Sequence, residues 1–493
     1  MKNHYFKTEL VKMGKWETPP LDYETWNGQN TNVHFKKYFG LQKGILNIYD
    51  FKEGYSHVYA PKSYLKSLFA YIRANTAKDY KFLDRKLKAF YPLVQKSKLI
   101  VKKVKTNDLR DITNEELIKR YQTIRERVQR IAIFDQFGWL GEEYWTPVME
   151  YVLVKKLSLL KGSSLYNKIL FALTKPEMKS TTLTERQAVI LEALKIKLNK
   201  STVVRSSQQL AKKWGWLPVF NFGTAWGASY YNEELSNQVK IKQSVLLVQH
   251  SVLKNYTRTR NQEITNIVKH HAIKKKDLQI FVDFGLALDT RNEAEYFVSY
   301  CGFHLIPIYA EIARRFSLSI PELRKFTEQE LIDTLKGITT TKAILSSRKK
   351  FFTSGYDEKM EKRINYSAQE SERLFKFVQT HAKSLQGAEG SKGVCASPGK
   401  AIGKARIVPF PKDNYKVKTG DILITHATTV DYLPAMKKAS AIITEVGGLT
   451  CHAAVVSREF GIPCIVALPN AMKMFKDGVL IEVNADNGTV KKV

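Results

Sequence analysis

The chain has 493 residues, 44% of them hydrophobic, which is enough for about three domains with packed cores. It contains no run of about 18 apolar residues and opens with Met1-Lys-Asn-His-Tyr-Phe-Lys7, so neither a transmembrane helix nor a signal peptide is expected and the expected location is the cytoplasm. Lys and Arg number 79 against 47 Asp and Glu, a net charge of +32, while Cys301, Cys395, Cys451 and Cys464 form no CxxC pair, which argues against a disulfide framework or a zinc site.

In chain order, the first 60 residues read as a mixed β and irregular segment packed on a helical region. Ile45–Phe51 and Tyr55–Tyr59 form a predicted hairpin around Lys52-Glu-Gly54. Helices dominate over 61–385. Thr113-Asn-Glu-Glu116 is a capping box, and Leu117, Tyr121, Ile124, Val128 and Ile131 come after it at one-face helical spacing. Further helix starts are predicted at Ser319-Ile-Pro-Glu322, Thr327-Glu-Gln-Glu330 and Ser367-Ala-Gln-Glu370. Aromatic residues crowd Trp214–Phe220, Trp226, Tyr230 and Tyr231, and again Phe137, Trp139, Tyr144 and Trp145. They read either as the lining of a ligand pocket or as helical core.

Gln386-Gly-Ala-Glu-Gly-Ser-Lys392 then breaks the pattern and reads as a flexible linker over 386–392. Beyond it, strands are expected at 405–408, 421–424, 441–443, 462–466 and 480–483, with helices near 433–438 and 450–460. Residues 393–493 therefore read as a compact α/β domain, and the whole as a multidomain α plus α/β chain with a largely α-helical N-terminal region. Only +6 of the net charge lies beyond residue 390, from 14 basic and 8 acidic residues. The remaining excess is spread in short clusters without a recognisable nucleic-acid module. It reads as a solvated Lys-rich surface or as a basic face giving weak, salt-sensitive nucleic-acid binding.

The residues that carry chemistry lie in Thr444-Glu-Val-Gly-Gly-Leu-Thr-Cys-His452. A buried strand runs into Gly447 and Gly448, which are expected to turn with positive φ. Thr450 is the expected N-cap, and His452 stands at the second helical position, exposed. Unpaired N–H groups and the positive helix end favour an anion there and disfavour imidazolium, so His452 is a neutral nucleophile suited to accept a phosphoryl group.

Thr444, Gly447, Gly448, Thr450 and His452 keep the spacing of a known signature, and the segment resembles the phosphohistidine motif of the swivelling (mobile) domain of the PEP-utilising enzymes. That superfamily includes pyruvate phosphate dikinase, PEP synthase and rifampin phosphotransferase. Ala396-Ser-Pro-Gly399 with Gly403, and Thr429–Met436, resemble its flanks, while Cys451 stands where several members carry Ser. The stretch from Asp289-Thr-Arg-Asn-Glu293 to Leu331 is similar to the helices before that domain in rifampin phosphotransferase-like proteins, where the region binds the acceptor.

The resemblance implies His452 as the phosphorylated residue, with Gly447, Gly448 and Thr450 binding the phosphoryl oxygens and Thr444 and Cys451 supporting the motif. Arg458 reads as a surface or domain-docking residue. Mg2+ would act with ATP or PEP at a donor site not visible in this chain. No ATP-grasp domain and no PEP-binding barrel is recognised, so an ATP-grasp or other phosphoryl-donor protein is the expected partner, with an unknown small-molecule acceptor. The alternatives are a non-catalytic scaffold or regulatory protein that retains the fold, and a basic nucleic-acid binder.

Overall fold

The computed structural model describes residues 4–16, 18–41, 44–220, 223–356, 363–384 and 392–493; the side chains of 4, 14, 27, 29, 30, 136–143, 383 and 384 are also outside the described set. The chain divides into two compact units. One comprises Met1–Asp79, Ala89–Leu140 and Cys301–Gly387, the other Tyr80–Lys88, Gly141–Tyr300 and Ala388–Val493.

The first unit is built on a six-stranded sheet of β1 (Leu10–Trp16), β2 (Leu46–Asp50), β3 (Tyr55–Pro61), β4 (Phe351–Tyr356), β5 (Arg363–Tyr366) and β6 (Lys383–Ser384), in the order β5-β4-β2-β3-β1-β6. The expected hairpin is β2 and β3, paired antiparallel from Leu46–Tyr59 to Asp50–Tyr55. The stretch 61–385 is not helical throughout. The aromatic run Phe351-Phe-Thr-Ser354 pairs with β2 and completes a core of Leu46, Ile48, Tyr59 and Phe351 under Leu374 and Val378. The predicted helix starts at Ser319, Thr327 and Ser367 form capping boxes, each joining a hydroxyl and a glutamate to the helix start, and at Thr113 the hydroxyl accepts from Glu116 N–H at 3.2 Å.

The second unit joins helices of residues 141–300 to the C-terminal α/β domain. The expected linker at 386–392 lies, except for Lys392, outside the described residues. The domain's sheet contains β7 (Val394–Ser397), β8 (Lys400–Ile407), β9 (Ile422–Thr425), β10 (Ala441–Thr444), β11 (Cys464–Val466), β12 (Leu480–Asn484) and β13 (Thr489–Lys492), in the order β13-β12-β8-β9-β10-β11-β7. Strands β8 to β11 are mutually parallel; β9, β10 and β11 are buried throughout, as their apolar runs demand, whereas β8 buries only Gly403 and Ala405. Ala405, Ile422, Ile424, Ile443, Ile465 and Ile481 form the core. Helices Leu433–Lys438 and His452–Phe460 provide the crossovers from β9 to β10 and from β10 to β11. The second helix stops at Gly461, which takes the left-handed conformation at φ 66°.

Candidate phosphohistidine site

Neighbouring parallel strands place the site. Thr425 ends β9 and pairs with Thr444, which ends β10, so the loops 426–429 and 445–451 leave the sheet side by side at the strands' carboxyl ends. Open α/β sheets hold their ligands at such ends. The loops are tied together. Glu445 N–H donates to Thr425 O at 3.1 Å, Val446 N–H to His426 O at 3.1 Å, and His426 Nδ1 meets Glu445 Oε2 at 3.0 Å.

Thr444 is fully buried and donates its hydroxyl to Val446 O at 2.8 Å, which bends the chain immediately after the strand. Gly447 turns with φ 121°, and a Cβ there would lie 2.9 Å from Cys451 Sγ, so glycine is required on both counts. Gly448 differs from expectation: it has no positive φ. Its carbonyl accepts from Cys451 N–H at 3.2 Å instead.

The helix begins one residue later than expected. Cys451 is the N-cap, with extended φ −69° and ψ 159° and no side-chain cap, and His452 is the first helical residue. Thr450 does not cap because it is engaged elsewhere. Its carbonyl and hydroxyl accept from Arg291 Nη1 at 2.6 and 3.1 Å.

His452 is buried rather than exposed, at 3% relative exposure. Its Nδ1 lies 3.3 Å from Thr428 Oγ1, and among the described residues its Nε2 has no hydrogen-bond partner. Burial, aided by the positive charge of Arg291, lowers its pKa from 6.5 to about 3. The expected neutral imidazole is therefore present, although desolvation dominates where the helix end was expected to act. Such a ring suits Nε2 to act as a nucleophile, and the surrounding protein shields it from water.

Helices of the same unit contact the segments around the site. Arg291 belongs to the helix Lys275–Arg315, and Lys437 of the helix Leu433–Lys438 reaches Glu185 Oε2 at 2.8 Å and Tyr230 OH at 3.4 Å. The Lys437 ammonium also lies over the Trp226 ring at 4.8 Å. Burial opposes that charge, and Glu185, Tyr230 and Glu234 together outweigh the penalty, raising the pKa of Lys437. Trp226 and Tyr230 stack at 4.2 Å, so this part of the aromatic segment packs around a cation. Trp214, Phe220 and Tyr231 are buried, and the side chains of Phe137 and Trp139 lie outside the described residues. Arg458 braces the motif: its Nε donates to Ala396 O at 2.9 Å, its Nη2 bonds Leu449 O, and its guanidinium lies over Phe171 at 5.1 Å. It docks, and it is half-buried rather than a surface group.

Three contributors escaped sequence reasoning. Thr428 and the His426–Glu445 pair border the Thr429–Met436 and Thr444–His452 segments, so a register argument from the two strand ends could have found them. Arg291 lies within Asp289–Glu293, but nothing local signals a contact 159 residues away. Among the described residues, no group of three or more His, Cys, Asp or Glu side chains is arranged to hold a metal ion. Mg2+ is therefore assigned no ligand here and no step passes through it. No helix of the described residues is long and apolar enough to cross a membrane.

Sequence comparison with known proteins gives matches to this part of the chain. The family model of the PEP-utilising enzyme mobile domain matches residues 417–488. A probable phosphoenolpyruvate synthase of Archaeoglobus fulgidus is 50% identical over 99 residues, 20% of this chain and 13% of that protein. One of Methanothermobacter thermautotrophicus is 48% identical over 99 residues, 20% of this chain and 14% of its own length. The phosphoenolpyruvate synthase of Pyrococcus furiosus is 48% identical over 101 residues, again 20% of this chain and 12% of that protein. The chain thus spans between 12% and 14% of the length of these three relatives. The motif and these similarities agree: residues 417–488 are a mobile domain of the PEP-utilising enzyme family.

Proposed function

We propose that the chain is a phosphotransferase component in which His452 accepts a phosphoryl group and the domain of residues 393–493 carries it between a donor site and an acceptor. The observation that carries this reading is the state of His452, a neutral imidazole at a helix start with Nδ1 engaged by Thr428 and Nε2 unpaired. In the reactive tautomer Nδ1–H donates to Thr428 Oγ1, leaving the Nε2 lone pair to attack phosphorus. The new P–N bond forms as the P–O bond to the leaving group breaks, and that oxygen keeps the electron pair. Backbone N–H groups at the start of the helix His452–Phe460 then face the anionic product.

Phosphoenolpyruvate synthase relatives support ATP or PEP chemistry as the source of the group. The proposed donor is an ATP-grasp or other phosphoryl-donor protein. Labelled ATP or PEP, supplied with and without such a partner and Mg2+, tests the reading. Acid-labile, base-stable label should appear with the partner and disappear in His452→Ala. Retained partner binding with no transfer under any condition would favour the scaffold reading.

A further inference from the structure

The helix Gln243–Lys254 is apolar on two sides. Leu246 and Leu253 form its buried side. It lies beside the helix Thr181–Lys197: Gln187 Nε2 is 3.5 Å from His250 Nε2, and Tyr256 OH, just past the helix, donates to Pro176 O at 3.0 Å, so the two helices run antiparallel. The other side faces solvent, with Val245 43%, Leu247 51%, Val248 64% and Val252 58% exposed. The spacing of Val245, Val248 and Val252 puts them on one stripe, and no Lys, Arg, Asp or Glu occurs from Gln243 to Leu253.

An ordinary surface helix turns polar and charged residues outward. The next helix, Tyr256–His270, does so, exposing Arg258, Asn261, Gln262, Thr265 and Lys269. Single exposed apolar residues need no account, whereas a run of them along one helix does. Cations flank this face at both ends. Lys240 and Lys242 precede it, Lys254 and Arg258 follow it, and residues 235–262 contain no Asp or Glu.

That combination selects an occupant. A second copy of the chain, paired symmetrically, would set these cations against themselves. Protein partners draw most of their binding energy from Trp, Tyr and Arg, while this face offers Val, Leu and Ser. An aliphatic face between cationic ends fits a fluid, negatively charged surface, where the aliphatic side chains enter the apolar margin and the lysines reach the headgroups. We propose that the helix Gln243–Lys254 binds the chain peripherally to anionic phospholipid bilayers, lying in the plane of the headgroups. At 12 residues it is too short to span a bilayer. The inference is independent of the assignment of His452.

Flotation of the full chain with phospholipid vesicles tests it. The chain should float with vesicles of equal parts phosphatidylcholine and phosphatidylglycerol, and stay behind with phosphatidylcholine alone. A net charge of +32 attracts anionic lipid by itself, so the deciding variant keeps the charge. Val248→Ser combined with Val252→Ser should weaken binding about tenfold or more. Lys242→Gln with Lys254→Gln should weaken it more than the same changes at exposed Lys102 and Lys103. A wild-type chain that ignores the anionic vesicles overturns the proposal, and this arm needs no variant to fold. Equal binding by wild type and the serine pair overturns it as well, leaving general charge attraction. Binding to a donor protein that the serine pair abolishes, with vesicles unbound, gives the face to a protein partner and overturns the lipid assignment.

Discussion

Replacing His452 by Asn should remove a defined part of the chain's acid sensitivity. The imidazole titrates near its ordinary 6.5 in the unfolded chain but near 3 when folded, because burial and Arg291 refuse it a proton. Above pH 6.5 both states are neutral and the group's contribution to stability is intact. As pH falls through 6.5 toward 3, the unfolded chain takes up a proton that the folded chain does not, and stability drops. At pH 5, a unit and a half below the ordinary value, the loss is about 2 kcal/mol at ~1.36 kcal/mol per unit. Buried His57 is held near 4 by burial and by Lys15, so it contributes with the same sign and the wild-type curve alone does not isolate His452. The useful quantity is the stability difference between wild type and His452→Asn, measured by urea unfolding at pH 7.5, 6 and 5. That difference should move by about 2 kcal/mol against the wild type between the ends of the range. A difference constant with pH would show that His452 titrates normally, and the buried neutral nucleophile would be refuted.

Gly447→Ala places a Cβ at φ 121° and 2.9 Å from Cys451 Sγ, and should cost about 1–3 kcal/mol in a denaturant titration; no loss would mean that the turn is not formed. Lys437→Met leaves fully buried Glu185 without its cation and should destabilise by about 3–5 kcal/mol, while adding Glu185→Leu should recover much of it; additive losses would show that the two do not interact. Burial, with Glu293 and Asp289 nearby, raises the half-buried Glu459 from 4.5 to about 8. Its contribution to stability is full below 4.5 and lost as pH rises through 8, so Glu459→Gln should raise the thermal transition at pH 8 and leave it little changed at pH 4. An effect equal at the two pH values would place that carboxyl in water.

Local signals carried much of the fold. The strands β9 to β12 and both C-terminal crossover helices arise from short apolar runs between glycines, and the capping boxes at 319, 327 and 367 form as expected. Strand β13, Thr489-Val-Lys-Lys492, was not legible, because half of it is lysine and only pairing with β12 makes it a strand. Strands β4 and β6 gain partners from residues more than 300 positions earlier. The same distinction holds at the site. The Gly447 turn and the neutral His452 were readable from residue type and spacing. The role of Thr450, the part of the His452 pKa shift due to a neighbouring charge, and the cation enclosed by Trp226 and Tyr230 depend on Arg291, Glu185 and Lys437, charges that meet only after folding.

The most direct measurement is to locate the phosphoryl group. The chain would be incubated with labelled PEP or ATP, Mg2+ and a candidate donor protein, then fragmented under alkaline conditions and sequenced by mass spectrometry, with phosphorus NMR distinguishing the two ring nitrogens. One phosphohistidine is predicted, at His452 and on Nε2, lost in His452→Ala and reduced in Thr450→Val, with no label on the chain incubated with nucleotide alone. Label on another residue, or undiminished labelling of His452→Ala, would contradict the assignment of His452 as the phosphoryl carrier.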